Sequence, residues 1–388
     1  GALMSAVAPG LGILILGNSI LEGVGTALLI PPVYILTTLL FTELTSRARA
    51  FGVISALGGI GAAAGPLIGG LITSAITWRA AFVFQALVIA AIVWLSRDLR
   101  DPLPADPKHP FDVGGSVLSA VGLVLVVTGI LAADQNLALM AGLIVAGAAV
   151  LAWFFGSMRA KERAGREALL PTSLFHNRTS NLGLVTQNVE WLLLTGVSFV
   201  VSAYLQVVRG YDAIQTGVIF TAVTAGLLAS SLAAERLAKR RAQRTLILTG
   251  FAITLIGIGA LLALVIGTPN VWAFAPGLLL IGLGLGLMLT PSVNVVQSSF
   301  SDEMQGEISG LSRSISNLGS SLGAAVAGTV LVAGITSTPE RSYGLAMAVL
   351  ATCGLIGLLA SVFLPRAISS VQGTETAAAH PPDALDTS

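Results

Sequence analysis

Residues Val113–Ala132 read VGGSVLSAVGLVLVVTGILA, an unbroken stretch without a single charge. At 1.5 Å rise per residue a helix of this length covers about 30 Å, the thickness of a bilayer's hydrocarbon core. Backbone groups in hydrocarbon have no water to bond to, so a stretch of this kind crosses as a helix. Ten more stretches like it lie to either side: Leu11–Thr38, Phe51–Ile76, Arg79–Leu95, Leu137–Gly156, Leu182–Gln206, Ile214–Ala233, Leu246–Ile266, Trp272–Val296, Ile308–Ile335 and Ser342–Phe363. Only 10% of the 388 residues are charged, and the mean hydropathy is +0.88. A soluble domain could not cover its surface with so few charges. The expected fold is an all-α, polytopic membrane helix bundle of about eleven full spans. Gly1–Pro9 reads as the last turns of a further helix, and the chain opens on Gly rather than Met, which suggests a truncated N-terminus.

The placement of charge tests the span assignment. If the loop carrying Arg47 and Arg49 is cytoplasmic, alternate loops put Arg97, Arg100 and Lys108 on that side. The clusters Arg159–Arg178 and Arg236–Arg244 follow, with Arg366. Only Arg79, Arg209 and Arg341 fall opposite, and Arg313 sits at a helix entrance. This asymmetry is the positive-inside pattern, and one misassigned span would scramble it. It predicts a multi-pass cell-membrane protein with its long basic loops and C-terminal tail in the cytoplasm. The single cysteine, Cys353, lies in the last span and permits no intrachain disulfide.

Two long loops divide the chain. Ser96–Asp112 contains Pro102, Pro104, Pro107 and Pro110 and cannot be helical throughout. Ser157–Thr179 carries Arg159, Lys161, Glu162, Arg163, Arg166 and Glu167, and is expected to form a short surface helix. The organisation predicted is a partial first helix bundle over residues 1–96, two central helices with their loops over 97–179, and a second bundle over 180–365. The Ala-, Thr- and Pro-rich tail 366–388 has the composition of disorder.

The stretch GVISALGGIGAAAGPLIGG places Gly52, Gly61, Gly65, Pro66, Gly69 and Gly70 on one helix. Glycines spaced by four or by eight to nine share a face and allow close backbone contact with a neighbour. Pro66 removes one intrahelical hydrogen bond and favours a kink. A close-packed, bendable helix suits the seam between two bundles that rock against each other. Ordinary small-residue packing is the alternative.

That spacing resembles the antiporter signature of the major facilitator superfamily, and further residues resemble its branch of fourteen-helix drug:proton antiporters. Gly23-Val24-Gly25 with Pro31 is similar to the motif of the branch's fourth helix, Arg47–Gly52 to the loop entering its fifth, and Trp78-Arg79 with Phe82 to the start of its sixth. Leu174-Phe175, Asn177-Arg178, Tyr204-Leu205-Gln206, Gly210-Tyr211, Gln215 and Gly217 resemble its ninth and tenth helices. Ser309-Gly310-Leu311 with Leu318-Gly319 and Gly323 resembles its thirteenth. The resemblance runs in order from Gly1 to about Pro365. It implies that Gly1–Pro9 is the end of the third helix, that the first two have no counterpart, and that residues 113–156 hold the branch's additional central pair. It also implies a small-molecule substrate, exchange for protons, no cofactor and a monomer in the bilayer. Three positions depart from the pattern. Ser19 stands where the fourth helix carries an Arg, and Glu235 and Lys239 replace the Gly and Asp of the second-half loop.

Acidic residues inside apolar spans are candidate proton carriers. Glu22 has Asn18, Ser19 and Thr26 at helical spacing on its face, and Glu190 has Gln187 one turn before it. Carboxyls in hydrocarbon are costly and are kept where they border a cavity or hold helices together. Asn294, Arg313 and Asn317 are further cavity candidates, with interhelical hydrogen bonding as the alternative.

Other chemistries lack their parts. Gly319-Ser320-Ser321-Leu322-Gly323 fits GxSxG, but a nucleophile elbow needs a strand–turn–helix and a nearby His, whereas this stretch lies in an apolar span. There is no phosphate-cradling Gly-x-x-x-x-Gly-Lys-Ser/Thr, no metal-ligand spacing, and no pattern for nucleic acid beyond the orienting run Lys239-Arg240-Arg241. The expectation is therefore a non-enzymatic secondary exporter of small amphipathic molecules. A metabolite permease of the same fold and a truncated, non-transporting remnant are the alternatives.

Overall fold

The computed structural model describes residues 1–41, 44–99, 112–133, 136–166, 168–238, 241–265, 270–300, 304–335 and 337–366. The tail beyond 366 and most of the proline-rich loop lie outside them. Among the described residues there are helices and no strands. A short α1 (Ala2–Ala6) precedes a rod made of α2 (Leu11–Leu14), a π-helical stretch (Ile15–Leu21) and α3 (Glu22–Leu40). Then come α4 (Leu44–Ala75), α5 (Trp78–Ser96), α6 (Val113–Leu131) and α7 (Leu137–Arg163). A 3-10 turn (Thr172–Phe175) leads to α8 (Arg178–Ala203), which ends in a second π stretch (Tyr204–Val208). The last five are α9 (Ala213–Ala238), α10 (Gln243–Val265), α11 (Phe274–Gln297), α12 (Gln305–Val332) and α13 (Pro339–Val362).

Ten helical segments among the described residues are long and apolar enough to cross a membrane, and α4 covers the remaining expected span. The chain is a polytopic membrane helix bundle. Side-chain caps mark several helix starts. Asp112 accepts from the Gly115 amide at 2.8 Å, and Asn136 from Ala138 and Leu139 at 2.9 and 3.1 Å. Asn177 accepts from Thr179 and Ser180 at 2.9 and 3.2 Å. Each satisfies amides that have no intrahelical partner.

Two boundaries differ from expectation. The cluster Arg159, Lys161, Glu162 and Arg163 does not form a separate surface helix. It continues α7 for nearly two more turns, until Gly165 at φ +66° ends it. Ala, Lys, Glu and Arg are good helix formers, and long cationic side chains reach polar surroundings from a helix end. The rod from Leu11 is also not uniformly α-helical, since its backbone widens over Ile15–Leu21 just before Glu22.

Helices α8–α13 share one apolar core, with Leu193, Val197 and Tyr204 of α8 against Phe251 and Ile258 of α10, Leu278 and Met288 of α11, and Met347 and Leu350 of α13. Helices α6 and α7 pair with each other. A Cβ on Gly122 or Gly129 of α6 would lie 2.7 and 2.8 Å from Leu151 and Ile144 side chains of α7, so these glycines let the two backbones approach. The first helices pack more openly: α1 lies on α5 and on the π stretch, α3 and α5 lie on α4, and α5 has no buried residue. Several contacts among the described residues join the parts. Helix α4 lies along α9, and α12 meets both α3 and α6, with the Thr329 hydroxyl donating to the Ile130 carbonyl at 3.1 Å.

Candidate transport path

Glu22 begins α3 directly after the π stretch. π-Helical insertions recur at functional sites because they rotate the following side chains out of α-helical register. Asn18 and Ser19, expected on Glu22's face, therefore lie within a differently wound segment, and both are exposed. The partner that Glu22 does find is Gln85 of α5, whose Nε2 donates to Glu22 Oε2 at 3.0 Å. The other carboxyl oxygen is buried without a partner. Sequence reasoning missed Gln85, although a lone amide in the otherwise apolar stretch Ala80–Leu95 is a visible signal.

Glu190 is 1% exposed on α8, and among the described residues neither carboxyl oxygen has a partner at hydrogen-bond geometry. The Ser292 hydroxyl of α11, also buried and unpartnered, stands beside it. A buried polar group without a partner costs free energy, on the order of 1–3 kcal/mol. Groups left in that condition inside a membrane span mark functional positions. Ser292 follows Pro291 inside α11, so its signal in the sequence is a hydroxyl next to a helix-disrupting proline.

The remaining cavity candidates separate into two kinds. Gln187 is spent between helices: its Nε2 donates to Ser316 Oγ at 2.9 Å, and it accepts from Ser312 Oγ at 2.9 Å. It clips α8 to α12. Asn294 is half-buried on α11, with its carbonyl accepting from the Ser298 hydroxyl at 2.6 Å. Arg313 places its guanidinium 5.7 Å from the Trp191 ring centroid, with Nε buried and unpartnered. Asn317 is exposed one turn further on. It lies on a stripe of exposed positions, Glu307, Gly310, Ser314, Asn317 and Ser321, at alternating spacings of three and four. A polar face on a spanning helix borders water rather than lipid, where an amide would find no partner. Ser314 and Ser321 on that stripe were not singled out as cavity candidates from the sequence, and Ser316, one residue before Asn317, is buried against Gln187.

The glycine motif of α4 meets α9 at one end. A Cβ on Gly70 would lie 2.6 Å from the Ala213 carbonyl oxygen, and one turn later the Ser74 hydroxyl accepts from the Ile214 amide at 3.2 Å. Cβ atoms on Gly61, Gly65 and Gly69 would meet no described residue within 4 Å. The side-chain surroundings of Gly52 and Pro66 lie outside the described residues. A second close crossing is made by Gly319 and Gly323 of α12, each against a backbone carbonyl of α8, those of Asn188 and Leu192. These are the glycines of the GxSxG match. The stretch is continuous helix, and Ser321 Oγ donates to the Asn317 carbonyl at 3.0 Å. Among the described residues no group of three or more His, Cys, Asp or Glu is placed to hold a metal.

Two helix sets meeting along α4 and α9, with carboxyls inside their spans and a polar face on α12, define the class: a multi-pass helical membrane protein of transporter architecture. The Major Facilitator Superfamily pattern matches residues 1–324, and the chain belongs to that family. It is similar to the Puromycin resistance protein pur8 of Streptomyces alboniger, 31% identical over 334 residues, which are 85% of this chain and 65% of that protein. It is also similar to the Multidrug resistance protein Stp of Mycobacterium tuberculosis, 26% identical over 347 residues (88% and 63%). The Multidrug efflux pump LfrA of Mycolicibacterium smegmatis is 27% identical over 350 residues (88% and 67%). The chain thus spans about two thirds of the length of these curated relatives.

Proposed function

We propose that the chain is a secondary active exporter of small amphipathic molecules, of the multidrug-efflux kind, that exchanges substrate for protons by alternating access. The observation that carries this reading is Glu190, a carboxyl buried in a membrane span with the Ser292 hydroxyl beside it and, among the described residues, no hydrogen bond of good geometry to either oxygen. A group so placed can take and release a proton as access to it changes, which ties proton entry to substrate exit. Glu22, half-buried and bonded through one oxygen only, is the second candidate carrier. The glycine contact of Gly70 with Ala213 supplies a line along which the bundles pivot. The exposed stripe of α12 with Arg313 and Trp191 would border the substrate path. The relatives' names, two of resistance proteins and one of an efflux pump, support the direction.

The same reading takes α6 and α7 as the additional pair of the fourteen-helix branch, between bundles formed by residues 1–96 and 180–365. It places the protein in the cell membrane as a monomer, with basic loops and tail in the cytoplasm. Membrane vesicles with an imposed pH gradient test it. Substrate should move against the proton flow, and substitution of Glu190 by Gln should abolish that movement while leaving the protein folded. A metabolite facilitator is the second reading, favoured by Ser19 in place of the family's Arg. It would equilibrate its substrate with no response to the pH gradient.

A further inference from the structure

At the charged end of α7 a crevice opens between the helix and the 3-10 turn, lined by Phe155, Arg159, Thr172, Phe175 and His176. Phe155 and Phe175 meet edge to face at 5.6 Å between ring centroids and form its apolar wall. The polar groups nearby are mostly committed. Glu162 accepts from both the amide and the hydroxyl of Thr172, and Lys161 Nζ is bonded to Asp112 at 2.6 and 2.7 Å. The Arg159 and His176 side chains line the crevice and are exposed, and both lie within electrostatic reach of the Glu162 carboxylate, whose own hydrogen bonds go to Thr172.

The position of the crevice along α7 indicates its ligand. Val145, Ala149, Ala152 and Phe155 are exposed and recur every three or four residues, an apolar stripe such as lipid chains cover. The next position on that stripe is Arg159. Arg159 therefore stands where hydrocarbon gives way to headgroups, one turn from a phenyl ring and within the same crevice as His176. We propose that this crevice binds the phosphate of an anionic phospholipid. The Arg159 fork and the His176 ring hold the phosphate oxygens, and the Phe155 and Phe175 rings pack against the glycerol and upper acyl chain. The 3-10 turn also reaches the second bundle. Leu174 is fully buried with Leu184, Val296 and Ile308, and the Asn177 Nδ2 donates to the Ser299 carbonyl at 3.1 Å. A lipid seated between α7 and this turn would staple the central pair to the α8–α13 bundle. The inference needs only that α7 ends at a membrane face, and is independent of the transport direction proposed above.

Native mass spectrometry of the full chain, released from detergent with added phosphatidylglycerol or phosphatidylcholine, tests it. Phosphatidylglycerol should be retained in preference to phosphatidylcholine. The double substitution Arg159→Gln with His176→Gln should lower that retention about tenfold, the loss expected when charge-assisted bonds to a phosphate are removed. Arg163→Gln with Arg166→Gln, which removes two exposed cations outside the crevice, should leave retention unchanged. Equal loss in both double variants would mean diffuse attraction and would overturn the assignment. So would undiminished retention in the first, or displacement of the lipid by millimolar inorganic phosphate alone. Melting curves of each variant without added lipid identify any that lose lipid by failing to fold, and the single substitution Arg159→Lys then keeps the test open.

Discussion

Gln85 on α5 reaches Glu22 on α3 with a 3.0 Å hydrogen bond, and among the described residues it is the one side chain that partners that carboxyl. The bond ties two helices that otherwise meet little, since α5 buries none of its residues. Removing the amide leaves a half-buried carboxyl with both oxygens unpaired. Substitution Gln85→Leu should therefore lower stability by about 1 kcal/mol, the typical net contribution of one hydrogen bond. Thermal unfolding in detergent measures it, and an unchanged Tm would show that the bond contributes nothing.

Glu190 should behave in the opposite way. Its carboxyl is buried without a partner, so Glu190→Leu, which keeps the volume and removes the polar group, should raise stability by about 1–3 kcal/mol. The same variant should lose transport, as expected where a destabilising group is kept for function. A variant that melts earlier than the native chain would mean that the carboxyl is satisfied in the folded protein.

The α4–α9 contact predicts a contrast among glycines. Gly70→Ala forces a methyl group against the Ala213 carbonyl and should cost about 1–3 kcal/mol, or separate the helices. Gly61→Ala and Gly65→Ala, in open space, should be tolerated. Cysteines placed at Ser74 and Ile214 should cross-link readily in the native background and more slowly beside Gly70→Ala. Equal cross-linking in both backgrounds would contradict the close approach.

Asp112 gives a pH-dependent test away from the membrane spans. The Lys161 hydrogen bond, with help from the Gly115 amide, holds its carboxyl below the ordinary value of 3.8. A depressed carboxyl is protonated more readily in the unfolded chain, so its contribution is present above 3.8 and is lost as pH falls through the folded value. Lys161→Met should lower Tm at neutral pH by the equivalent of about 1 kcal/mol, and the difference should close in acid below 3.8. A difference that persists there would assign the effect to packing of the lysine stem.

Much of the fold was legible because length and apolarity are written locally. Each predicted span coincides with a helix, and caps such as Asp112, Asn136 and Asn177 stand at the starts. The π stretch before Glu22 was not legible. A shift in backbone hydrogen-bond register leaves no mark in composition, so Asn18 and Ser19 were grouped with Glu22 by an α-helical period that does not hold there. The end of α7 differs from expectation because the charged run from Arg159 reads as a separate short surface helix, whereas its good helix formers simply prolong the spanning helix. Glycine spacing shows where close approach is possible, not where a neighbour lies. Hence, of the motif glycines Gly61, Gly65, Gly69 and Gly70, the last alone meets α9, while Gly319 and Gly323 meet α8. At the candidate site, Glu22 and Glu190 could be named as ionisable groups in apolar spans, but Gln85 and Ser292 required three-dimensional adjacency.

The measurement that bears most directly on proton-coupled export is dye transport by the purified chain in liposomes, with ethidium as the amphipathic probe and a pH gradient as the sole driving force. Accumulation of dye against its gradient, lost on dissipating the pH difference and absent in Glu190→Gln, is the result expected. Dye movement that is equally fast with and without the gradient, and equally fast in Glu190→Gln, would contradict it.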